Sequence, residues 1–148
     1  MKKIAFGLLA ALALMRASAE GLNWETDLAK AQAQAKKENK LVMLDFTGSD
    51  WCGWCKKLHA EVFSKSEFEE YAKKNLVLVE VDFPRRKELP ADQAKANQAL
   101  QKKYSINGYP TIILLDGDGK KLGTIDGYSP GSGPKSYIAE LEKAKKGT

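Results

Sequence analysis

Apolar residues in this chain fall into short, dense blocks rather than one long stripe. Leu41-Val42-Met43-Leu44-Asp45-Phe46 is nearly continuous, as a central strand covered on both faces requires. Leu76 to Phe83 (LVLVEVDF) repeats the pattern and stops at Pro84, which cannot continue a strand ladder. Thr111 to Asp116 is a third block, and Asp116-Gly117-Asp118-Gly119 turns the chain into Lys121 to Tyr128. So short a connection predicts an antiparallel pair. The stretches between are polar and helical in pattern. Asn23 is placed to cap a helix running to about Asn39, with Trp24, Leu28, Ala31 and Ala35 on its apolar face. Lys56 to about Lys74 reads as a helix bent or broken near Ser64-Lys65-Ser66. Leu89 to Lys103 reads as a polar helix turning Ala94, Leu100 and Tyr104 inward, and Ser136 to Lys146 as a terminal helix burying Tyr137, Ile138 and Leu141. The order α-β-α-β-α-β-β-α predicts an α/β fold of three layers, α/β/α, around a mixed, mainly four-stranded central sheet.

The first nineteen residues stand outside that pattern. Lys2 and Lys3 give a basic start, Ile4 to Met15 is an apolar run, and Ala17-Ser18-Ala19 is a small-x-small cleavage pattern. Together they read as a secretory signal peptide cleaved after Ala19, leaving residues 20–148 as one domain in the periplasm or outside the cell. The run falls short of the about 20 residues that span a bilayer. Arg16 is an irregularity and keeps an uncleaved anchor open as an alternative. Losing Lys2, Lys3 and Arg16 lowers the formal charge from +5 to +2. The basicity is thus partly an export signal, and no nucleic-acid partner is expected.

Both cysteines lie in Trp51-Cys52-Gly53-Trp54-Cys55-Lys56, where the first apolar block hands over to a helix. Two thiols at that spacing suit reversible disulfide exchange. The unpaired N–H groups of a helix start favour thiolate over thiol. In such motifs the attacking thiol's pKa falls from about 8.5 to between roughly 3.5 and 7.5. A disulfide closing so small a loop staples almost nothing, so the pair points to chemistry rather than reinforcement. Other uses fit less well. Zinc usually takes four ligands, and His59, the only histidine, lies about 10 Å along the helix from Cys52. No metal is therefore expected, and His59 reads as a surface or packed residue. Lys56 stands where covalent haem attachment needs histidine. Asp116 to Gly119 lacks the later ligands of a calcium loop and reads as a turn. Arg85-Arg86-Lys87 reads as a solvated face.

Two separated signatures resemble the thioredoxin-like superfamily, over nearly all of residues 22 to 146. One is Asp45-Phe46 followed by Trp51-Cys52-Gly53-Trp54-Cys55-Lys56; the other is Tyr104-Ser105-Ile106-Asn107-Gly108-Tyr109-Pro110-Thr111. The segment from Phe46 to Trp51 is most similar to exported bacterial members. The resemblance implies that Cys52 is the more exposed cysteine and the nucleophile, and that Cys55 resolves the mixed disulfide. It implies a cis Tyr109–Pro110 bond beside the sulfurs. Tyr109 and Pro110, with Trp51, Gly53 and Trp54, then form the substrate-docking edge. It makes Asp45 the buried acid that exchanges a proton with Cys55, although six residues separate Asp45 from Cys52, one more than in thioredoxins.

Three departures stand out. Trp54 replaces thioredoxin's proline with no imidazole between the cysteines, Ala60 replaces a helix-kinking proline, and the segment Pro84 to Lys103 is longer. The implied activity is that of an exported thiol–disulfide oxidoreductase acting on cysteines of exported proteins, as reductant more than oxidant. It would need no cofactor and would be served by an upstream redox partner, one in the membrane being an option; a monomer is the default. The alternatives are a disulfide donor or isomerase, and a non-enzymatic thioredoxin-like binding module or metallochaperone.

Overall fold

Trp24–Glu25 opens the fold as a two-residue strand, β1, where the sequence predicts the first turn of a helix. The computed structural model describes residues 21–147, so the expected signal peptide and its cleavage point lie outside the described residues. Helix α1 spans Leu28–Glu38. Its cap is Asp27, not Asn23. The Asp27 carboxylate accepts from the N–H groups of Ala29 at 2.8 Å and Lys30 at 3.2 Å. Either residue type can cap, but Trp24 and Glu25 pair with Leu78 and Val79, which commits the chain at Asn23 to the sheet. Trp24 also leaves the face of α1 and packs on Phe63 in the other half of the core, ring centroids 5.4 Å apart.

The apolar blocks follow as predicted. Strand β2 is Leu41–Thr47, β3 is Leu76–Asp82, β4 is Thr111–Leu115 and β5 is Lys121–Asp126. The sheet runs β1-β3-β2-β4-β5, with β1, β3 and β2 parallel and with β4 antiparallel to both β2 and β5. It is five-stranded rather than four-stranded because two residues of β1 add an edge that no apolar alternation marks. Between the strands lie α2 (Gly53–Leu58), α3 (Ser66–Asn75), α4 (Ala91–Lys103) and, last, α5 (Gly133–Lys145). The bend expected near Ser64 is a π-helical turn, His59–Phe63, ending where Ser64 N–H donates to His59 O at 2.9 Å. Without a proline at Ala60, the wider turn breaks the helix instead.

Period-two alternation divides the core. Val42, Leu44 and Phe46 of β2 join Val77, Val79 and Val81 of β3 against Ala31 and Ala35 of α1. Met43, Leu78, Ile112 and Leu114 face Leu58, Phe68, Tyr137 and Leu141 on the opposite side. Each such side chain contributes about 1.5–3 kcal/mol when fully buried. The same alternation puts Asp45 and Thr47 on the Met43 face, and Glu80 and Asp82 on the Leu78 face. A block of polar groups therefore interrupts the apolar layer at the carboxyl ends of two parallel strands, where sites form in open α/β sheets.

Candidate redox site

Cys52 and Cys55 form a disulfide at the start of α2. Cys52 is the cap of the helix, and Cys55 N–H donates to its Sγ at 3.2 Å. The resemblance implies a more exposed first cysteine, but the two residues are almost equally covered, at 5% and 6% exposure. What separates them is what they face. Cys55 lines a cleft of about 370 Å³ together with Asp45, Thr47, Ser49, Lys56, His59 and Glu80.

Asp45 is buried in that cleft, 8% exposed, and its Oδ1 has no hydrogen-bond partner. Burial, with the neighbouring charges of Glu80 and Asp82, pushes its carboxyl up to about 8. Glu80, paired with Asp45 in the strand register, is raised as well, by burial and then by Asp82. Glu80 is a site residue the sequence reading missed. Its signal was there, an acid within LVLVEVDF on the same alternation as Asp82, but only strand register shows that it sits opposite Asp45. Asp82 is better served. Its carboxylate accepts from Ser49 N–H at 2.9 Å, from the Ser49 hydroxyl, and from Lys87 Nζ at 3.1 Å. Of the two expected places for His59, surface or packed, the structure has it exposed, and it lines the same cleft.

The two sequence signatures meet at an aromatic cluster. Tyr109–Pro110 is cis, and the Tyr109 ring lies 5.9 Å from Trp51 and 5.3 Å from Phe83. Gln101 donates to the Tyr109 hydroxyl at 2.6 Å, which fixes the ring. Trp51 is held in turn, its Nε1–H donating to Phe83 O at 2.8 Å. A Cβ at position 48 would overlap the Trp51 indole, so glycine is what lets the ring lie there. Trp54 is different: it is the one large apolar side chain exposed among the described residues, at 52%. Gly53 is exposed at the top of α2. Beside Pro110 lies a second, open cleft of about 520 Å³ running from Tyr104 to Thr111 and on to Asp126.

The other motifs resolve as structure. Asp116 accepts from the N–H groups of Asp118 and Lys120, both at 2.9 Å, and so closes a turn. Among the described residues, no three His, Cys, Asp or Glu side chains converge to hold a metal ion, and no helix is long and apolar enough to cross a membrane.

Comparison with known proteins agrees with this geometry. Residues 28–145 match the family described as a thioredoxin-like domain. The chain is 38% identical over 129 residues to the disulfide bond reductase DsbH of Chlamydia pneumoniae, covering 87% of this chain and 76% of that protein. It is 38% identical over 104 residues to the thiol:disulfide interchange protein DsbD of Cronobacter sakazakii, covering 69% of this chain but 16% of that much longer protein. A solved DsbH oxidoreductase superposes with a TM-score of 0.79 at 35% identity, over 96% of this chain and 95% of that one. With a helix-start disulfide, a cis-proline segment and these relatives, the chain belongs to the thioredoxin-like family, as one of its thiol–disulfide oxidoreductases.

Proposed function

We propose that the chain is an exported reductant of protein disulfides. The observation that carries the proposal is the Cys52–Cys55 disulfide at the start of α2, backed by a cleft lined by Asp45, whose Oδ1 has no partner. In the reduced form, the Cys52 thiolate attacks one sulfur of a client disulfide. The client's other sulfur leaves as a thiolate and takes a proton from water. Cys55 then passes its proton to Asp45 in its ionised form, the minority form near neutral pH, and attacks Cys52 Sγ, which breaks the mixed disulfide. The client's second sulfur leaves and is protonated, so the client gains two electrons and two protons and the protein is left oxidised. A carboxyl with a pKa of about 8 is close to a free thiol's, so the transfer is nearly balanced. Trp51, Gly53, Trp54, Tyr109 and Pro110 form the rim on which the client lies. An upstream dithiol partner restores the reduced state.

The reducing direction is supported by the Gly-Trp dipeptide, with no imidazole between the cysteines, and by the reductase name of the DsbH relative. Export is supported by Lys2-Lys3, the apolar run and Ala17-Ser18-Ala19. The test is trapping in cells. Cys55→Ser should accumulate mixed disulfides through Cys52, whereas Cys52→Ser should trap nothing and turn over nothing. The mature chain in the periplasmic fraction should begin at Glu20. Equal behaviour of the two variants would sink the assignment of nucleophile and resolver, and a retained leader would sink cleavage.

A further inference from the structure

Both tryptophans that flank Cys52, Trp51 and Trp54, carry a cation. The Arg85 guanidinium lies 3.6 Å from the centroid of the Trp51 ring, and Lys57 Nζ lies 5.4 Å from that of Trp54. Lys56 Nζ donates to Asp50 O at 3.4 Å, over the turn that leads into Cys52. Arg86 and Lys87 continue the run from Arg85, and their loop is fixed in place. The Asp50 carboxylate accepts from the backbone N–H groups of Arg85 at 3.0 Å, Arg86 at 2.8 Å and Lys87 at 3.1 Å. The Trp51 indole holds Phe83 O just before them. The basic run that the sequence presents as a solvated face is thus pinned to the shoulder of the disulfide.

Two of the nearby acids are already engaged, while Glu80, in the cleft beside Lys56, adds a carboxyl there. Asp50 serves the three N–H groups, and Asp82 is buried under Ser49 and Lys87. Among the described residues, Arg85, Arg86, Lys56 and Lys57 form no salt bridge. Stacking occupies the face of a guanidinium and leaves its in-plane N–H fork open to a carboxylate. Each tryptophan therefore offers the approaching chain an aromatic edge together with a positive charge.

We propose that this cationic shoulder docks acidic residues flanking the reactive cysteine of a client, so that the preferred partner is an acidic protein segment. The proposal rests on the oxidoreductase reading and adds selectivity to it. The test uses two peptides with the same intramolecular disulfide, one flanked by glutamates and one by lysines. Each is mixed with the reduced protein, and its rate constant is divided by that for dithiothreitol, which removes the flanks' own effect on the disulfide. At low ionic strength the glutamate peptide should react roughly tenfold faster than the lysine peptide, as expected for two or three exposed charge pairs. The ratio should fall toward one as salt shortens the screening length from about 30 Å to about 3 Å. It should invert in the double variant Lys57→Glu, Arg86→Glu, where a ratio taken within one protein cancels any general loss of activity. A ratio near one in the unmodified protein at low salt overturns the proposal, as does a preference that the double variant leaves unchanged. A small neutral disulfide separates the two levels. If the protein reduces it but shows no charge preference, only the docking proposal fails; if the protein does not reduce it, the oxidoreductase reading fails and takes the docking proposal with it.

Discussion

Asp45 is the residue on which the proposed chemistry and the stability of this protein most visibly conflict. A carboxyl 8% exposed with an unpartnered oxygen is costly when ionised, which is why burial leads the causes that raise its pKa to about 8. The folded state therefore holds a proton that the unfolded chain releases near pH 4. Stability from the neutral acid is fully present below that pH and is lost as pH rises through about 8. Asp45→Asn should remove this slope. Urea unfolding of the oxidised protein should show the variant more stable at pH 7 by up to about 4 kcal/mol, with the gap closing below pH 4. A parallel pH dependence in both proteins would contradict the account. Glu80→Gln, by removing the second-largest cause, should lower the Asp45 titration by a smaller amount, followed by NMR of its carboxyl carbon. The cysteines and Asp45 were legible in the sequence because their spacing and their apolar setting are local. Glu80 was not, because its role depends on which residue it faces across β2 and β3, and no local pattern states that register.

At the level of elements, alternation and breakers carried most of the reading. Strands β2, β3 and β4 were visible as apolar blocks and ended within a residue of the predicted stops. Three features were not visible. Strand β1 is too short to alternate, and its pairing moved the helix cap from Asn23 to Asp27. The π-helical turn at His59–Phe63 has no residue signature of its own once proline is absent. The basic loop after β3 looked solvated because the acid that gathers its N–H groups, Asp50, lies 35 residues earlier. Close packing of α5 on β5 is also a long-range matter. A Cβ at Gly123 would overlap the backbone of Ala144, which cannot swing away as a flexible side chain would. Gly123→Ala should cost roughly 1–3 kcal/mol in thermal or urea unfolding. A neutral outcome would mean that α5 slides freely on the sheet.

For the whole molecule, the three-layer fold was legible because the element order and two distant signatures agreed, and the structure joins those signatures at the Trp51–Tyr109 contact. Direction of electron flow is another matter. It is a difference between two couples, and about 30 mV is worth 1.4 kcal/mol for two electrons. The most direct measurement is therefore the reduction potential of the Cys52–Cys55 pair, by equilibrating residues 20–148 against glutathione and dithiothreitol buffers. The account predicts reversible cycling with a value near about −270 mV, among the reductants. A value near about −120 mV would make the protein a disulfide donor, and failure to cycle would leave only a binding role.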